Sequence, residues 1–192
     1  MRITTMGALA ITVAMSARAD DVTVYLQGVS LVPEAVLSRA QVLANEIFLG
    51  AGVRIHWRIG HPASSELVAQ KPIVVEIGAE TSRKLLPGAL AFAQPYEGVH
   101  ISVFYDRIQE AVLPDLTPNL LAHVLAHEIT HILQGTDAHS ATGVMKARWT
   151  FEDYRSMRSR PLSFTEEDVH LIHFGLAAHA GATRWSLPTL VH

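Results

Sequence analysis

The chain is expected to fold as one α+β domain, a twisted mixed sheet packed on helices, and three observations point there. It has 192 residues of which 49% are apolar, enough for one buried core and too few for two. Strand-like and helix-like hydrophobic periods alternate in its first half, and only helical periods follow Asp106. No repeat, low-complexity segment or linker divides it.

Each element follows from its pattern. Val22 to Leu31 reads as a strand, and Pro33 then opens a helix whose apolar positions include Leu37, Ala40, Leu43, Ala44, Ile47 and Phe48. Gly50 and Gly52 end it. Val53, Ile55 and Trp57 alternate with Arg54, His56 and Arg58, the period of a half-buried strand, and 72–78 gives another. The stretch 88–95 is rich in Gly, Ala and Pro and reads as a strand or a loop with close backbone approach. Val99 to Tyr105 is the most strand-like run. Thr117 as cap, Pro118 in the first turn and Gly135 as stop bracket a helix over 118–134. A last helix begins near Thr165, with Asp168 as its capping-box partner, and runs through Val169, Leu171, Ile172 and Leu176.

Composition narrows the function. A formal charge of -3 and the absence of Lys/Arg runs with interleaved aromatics argue against a nucleic-acid partner. Arg2, the mostly apolar stretch Ile3 to Met15 and the small-x-small triplet Ala17-Arg18-Ala19 form the pattern of a cleaved export leader over residues 1–19, with a mature chain from Asp20 to His192. The apolar stretch is shorter than the roughly 20 residues a membrane span requires, so the mature chain is expected to be exported without one. There is no cysteine, which excludes disulfides, a thiol nucleophile and thiolate metal ligands.

The segment that carries chemistry is His127-Glu128-Ile129-Thr130-His131. Four residues apart on a helix, the two imidazoles project from one side and can share a metal ion, while Glu128 can reach a water on that ion. Leu121, Leu125, Ile129, Ile132 and Leu133 gather on the other side as a core-facing stripe. His123 lies one turn earlier and is assigned a supporting or structural role, because a third ligand there fits tetrahedral geometry poorly. A catalytic zinc site needs a third protein ligand and one open position. Gly135 can reverse the chain and return a nearby residue to the metal: His139 is the first choice, Asp137 the second, and a distant carboxylate such as Glu152 the third.

With those residues in place, the segment from His127 through Gly135, His139 and Gly143-Val144-Met145 resembles the zinc helix, glycine turn, third histidine and methionine turn of the metzincin metallopeptidases. The spacing differs, because metzincins place the glycine and last histidine three and six residues after the second ligand, whereas Gly135 and His139 come four and eight after His131. In this longer form it is similar to small exported bacterial zinc proteases. The resemblance implies a single metzincin-like domain, Met145 as a hydrophobic floor below the metal, and Tyr154 as a candidate for steadying an oxyanion. Tyr105 and Trp149 are expected to be packing residues. It also implies a peptide or protein substrate lying antiparallel to an edge strand above the zinc helix, with 99–105 or 88–95 as that edge.

The reaction these residues suit is hydrolysis by a zinc-activated water, with Glu128 as general base and then acid, and Zn2+ on His127, His131 and His139. Two other classes use part of the same set. A zinc hydrolase of a non-peptide amide needs all of it, and a structural or storage zinc module needs a closed fourth position and no Glu128.

Overall fold

The computed structural model describes residues 20–69, 72–78, 88–93 and 99–184. The expected leader, 1–19, lies outside them. Strands β1 (Asp20–Gln27), β2 (Val53–Ile59), β3 (Ile73–Gly78), β4 (Ala91–Ala93) and β5 (His100–Phe104) form one sheet in the order β2-β1-β3-β5-β4. The first four positions are parallel, and β4 alone runs antiparallel, on the edge beside β5. The expected mixed sheet is therefore present. β5 lies between β3 and β4, so 99–105 is an interior strand and not the expected edge; the edge beside it is β4, within the 88–95 stretch.

Six helices accompany it among the described residues: α1 (Glu34–Leu49), α2 (Ser64–Ala69), α3 (Tyr105–Ala111), α4 (Thr117–Gln134), α5 (Phe151–Ser159) and α6 (Glu166–Arg184). The long ones fall where hydrophobic spacing places them. α2, α3 and α5 are not anticipated, because six to nine residues are too few to establish a helical period. α5 does carry a local signal, since Thr150 and Asp153 close a reciprocal capping box. The first strand also ends sooner than its apolar run suggests. Gly28 takes φ 67° and a 3-10 turn follows over Val29–Leu31, because a Cβ at Gly28 would lie 2.0 Å from the Ile77 carbonyl oxygen.

α4 is the hub of the helical layer and packs on α1, α6, α5, α3 and β4. Leu121, Leu125, Ile129, Ile132 and Leu133 are buried as expected, but so are Leu120, Ala122, His123, Val124, Ala126, His127, Thr130 and His131. A two-faced helix is thus the wrong picture: neighbours enclose α4 nearly all round, and its polar side opens only at one cleft. Its start also differs in detail, because Thr117 is the first helical residue with no side-chain cap, and Leu116 occupies the cap position.

α6 begins with the anticipated box, the Asp168 amide donating to Thr165 Oγ1 at 3.1 Å and the Thr165 amide to Asp168 Oδ2 at 2.9 Å. It then approaches α4 so closely that a Cβ on Gly175 would lie 1.8 Å from the Leu133 carbonyl oxygen. In an unobstructed helix, replacing glycine by alanine stabilises by about 1 kcal/mol. Here the sign reverses. Gly175→Ala is expected to lower unfolding stability by about 2 kcal/mol through overpacking, read as a lower urea midpoint, and a raised midpoint would mean that α6 does not sit this close.

Candidate metal and active site

The site grows from the way α4 ends. Gly135 takes φ 67°, and the amides of Gly135 and Thr136 both donate to the His131 carbonyl, at 2.9 and 3.3 Å, closing the last turn. The chain then folds back on itself, with the Ser140 amide donating to the Met145 carbonyl at 2.8 Å and a bridge pairing Ser140 with Lys146. Gly143 takes φ 77° against the segment before α6, where a Cβ would lie 2.3 Å from the Ser163 carbonyl oxygen. Val144 and Met145 are fully buried beneath this loop.

The loop orients the histidines. His127 Nδ1 lies 2.9 Å from the Val144 carbonyl and His131 Nδ1 lies 2.9 Å from the Thr136 carbonyl. A carbonyl oxygen only accepts, so each Nδ1 carries the proton and donates it. In the neutral rings both Nε2 atoms are then bare lone pairs, and they face each other at 3.0 Å. Two lone pairs at that distance repel unless a cation lies between them. The separation is near the roughly 3.3 Å edge of a tetrahedron with metal–nitrogen bonds of about 2.05 Å. Burial pushes the His127 imidazole down to about 4 and lowers that of His131, against the carbonyl bonds, so both rings stay neutral and ready to ligate.

His139 completes the group from the exposed side. Its ring centroid is 5.2 Å from that of His127 and 4.9 Å from that of His131, and one ligand atom from each of the three lies within 4.8 Å of the others. Asp137 is exposed and lines the same cleft without joining this group. Glu152 is on α5, exposed and paired with Arg155.

Glu128 lies on the cleft wall, partly buried, where the Ala93 amide of β4 donates to its carboxylate. Burial pushes the carboxyl up to about 7, and the Ala93 bond opposes the rise. The cleft has a volume of about 760 Å³ and runs between β4 and the 146–149 segment, with α4 beneath. Trp149 presents its ring edge-on to His127, centroids 5.7 Å apart, and Tyr154 lines the cleft further along, its phenol raised by burial. Tyr105 is buried in the core and has no place at the cleft.

Asp168 is the functional residue that sequence reasoning missed. It is buried, caps α6 with Oδ2 and accepts the Ser140 hydroxyl with Oδ1, so it anchors the residue next to His139. The capping box made Asp168 visible, but its partner 28 residues upstream was not.

The chain shares its fold with zinc-dependent metallopeptidases. The archaemetzincin of Methanopyrus kandleri superposes with a TM-score of 0.54 at 13% identity, covering 86% of this chain and 99% of that one. A zinc-dependent peptidase from Methanocorpusculum labreanum gives 0.55 at 12% identity, covering 79% and 99%. No protein-family model and no curated protein matches the sequence.

His123 has a different task from the cluster. It is fully buried, Nδ1 donates to the Asn119 carbonyl at 2.6 Å, and Nε2 accepts the Leu162 amide at 2.9 Å. Both nitrogens are used in the neutral form, and burial holds the ring down to about 4 against an ordinary 6.5. Between those values the unfolded chain takes up a proton that the folded chain refuses, so this contribution is complete above pH 6.5 and is lost as pH falls towards 4, by about 3 kcal/mol. In zinc-saturated protein, the stability advantage of wild type over His123→Gln should therefore shrink as pH drops from 7 to 4. A gap independent of pH would show that His123 does not titrate with folding.

Proposed function

We propose that this chain is a zinc-dependent endopeptidase, with His127, His131 and His139 holding the metal and Glu128 as general base. The observation that carries the reading is the pair of Nε2 lone pairs aimed at each other at 3.0 Å, a geometry that a shared cation makes favourable. When bound, zinc supplies Lewis acidity, lowering the pKa of a coordinated water towards about 7 and polarising a carbonyl oxygen. The donor set fits it: three imidazoles, no thiolate, and a cleft that leaves the fourth side open.

In this reading Glu128 accepts the proton of the attacking water on a carboxylate oxygen and passes it to the leaving amine. A carboxyl raised towards neutrality can do both, and the Ala93 amide holds its orientation. That same bond ties the base to β4, whose antiparallel edge position suits an extended peptide laid alongside. The tight bend at Gly143 and the Asp168–Ser140 bond hold the His139 loop against α6 and the segment before it.

Residues 1–19 are read from their sequence pattern as an export leader, and the mature chain as starting near Asp20. No helix among the described residues is long and apolar enough to cross a membrane. A non-peptide amide would use the same residues, and a purely zinc-storing module would have no use for Glu128 facing an open cleft.

Metal content and cleavage test the reading together. Mass spectrometry of purified mature protein should find one zinc per chain, sharply reduced in His139→Ala and kept in Asp137→Ala. A quenched peptide library should be cut by wild type and by Glu128→Ala about 10²- to 10⁴-fold more slowly, with zinc retained. Absence of zinc sinks the metal site; zinc without cleavage of any peptide sinks the peptidase.

A further inference from the structure

The charges around the cleft are unevenly matched. Among the described residues, four charged side chains line it: Glu128, Asp137, Lys146 and Arg148. Glu128 takes the Ala93 amide, Asp137 is engaged in an interaction of its own, and Lys146 is bound to Asp153, which also closes the capping box of α5. Arg148 is exposed and makes no ion pair or hydrogen bond among the described residues. Much of the remaining lining is apolar, including Leu90, Phe92 and Val124.

The backbone that presents Arg148 is held on both sides. Lys146 is fixed by Asp153, the Trp149 indole Nε1 donates to the Gly143 carbonyl at 3.4 Å, and the Trp149 ring stands against both His123 and His127. Thr150 then caps α5. The guanidinium therefore swings from a fixed base within the same cleft as the histidine cluster. It is a permanent cation with a planar fork of donors, suited to bind a carboxylate through two parallel hydrogen bonds.

We infer that Arg148 is a specificity-determining residue that selects peptides presenting a carboxylate to this cleft. The inference rests on the peptidase reading for its biological sense, but the recognition itself does not require turnover. The carboxylate can come from an Asp or Glu side chain or from the free C-terminus of the peptide, which present the same group. A zinc ion in the cleft attracts any carboxylate, so the share due to Arg148 is the part of the preference that its guanidinium adds. A guanidinium with no ion pair among the described residues strengthens the preference for an acid over its amide, and that share weakens as salt screens it.

Calorimetric titration of zinc-loaded Glu128→Ala protein isolates binding from cleavage. The probes are nonapeptides with Glu or Gln scanned along the sequence, each with a C-terminal acid or amide. The acid member of a pair should bind about five- to tenfold more tightly than its amide counterpart. Adding Arg148→Ala should remove most of that preference, leaving what the zinc itself contributes, and Arg148→Lys should restore part of it, with zinc content and melting temperature as controls on folding. A ratio that follows the side chain assigns the carboxylate to an internal acidic residue, and one that follows the C-terminus assigns it to the chain end; both support the inference. Equal binding of all members, or a preference left unchanged in Arg148→Ala, overturns it. The wild-type enzyme is assayed on the same peptides, so failure to cut any of them counts against the peptidase while the binding ratio still decides the role of Arg148.

Discussion

The site depends on one hydrogen bond, from His127 Nδ1 to the Val144 carbonyl across 17 residues of chain. It sets the tautomer of the imidazole, and therefore which nitrogen faces the cleft. It also gives a buried carbonyl its partner and pins the returning loop to the helix from which it departed. Without it the ring could turn, and the meeting of the two Nε2 atoms would be lost. The bond from His131 to Thr136 repeats the device locally, using a carbonyl that the helix end has just released. Helix and loop consequently define each other's geometry.

That dependence explains the low tolerance for side chains around the loop. Gly143 must turn where the Ser163 backbone leaves no space for a Cβ, and Gly175 lets α6 lie directly on the end of α4. Asp168 links the two constraints, because its side chain starts α6 and holds Ser140 while its carbonyl accepts from Gln134, the last residue of α4. The outer end of the loop, at His139, remains exposed. Rigid support under an accessible ligand suits a position that must both hold a metal and admit a partner molecule.

Much of this was legible because it is local. The His127–His131 spacing, the Gly135 stop and the Thr165–Asp168 box each rest on geometry within one helical turn, and α1, α4 and α6 are long enough to show a period. The sheet was legible as a class and less so in its order. Nothing in Val99–Phe104 distinguishes an interior strand from an edge, since both bury apolar residues. Short α2 and α3 carry too few positions to reveal a helix, and the near-complete burial of α4 depends on neighbours distant in sequence. The links from Ser140 to Asp168 and from His123 to Leu162 join residues 28 and 39 apart, a separation at which side-chain type alone specifies no partner.

The three imidazoles come from one short span, 127–139, whose far end is carried by a loop and not by the sheet. Emptying such a site releases a small cooperative unit and leaves the larger one intact. Amides at the exposed end of the loop, 137–139, would then exchange with solvent through local opening, while those of β1, β3 and β5 wait for global unfolding. With zinc held as proposed, the metal could leave without loss of the fold, and reloading would wait only on closure of a loop of about ten residues, an event far faster than assembly of a parallel sheet.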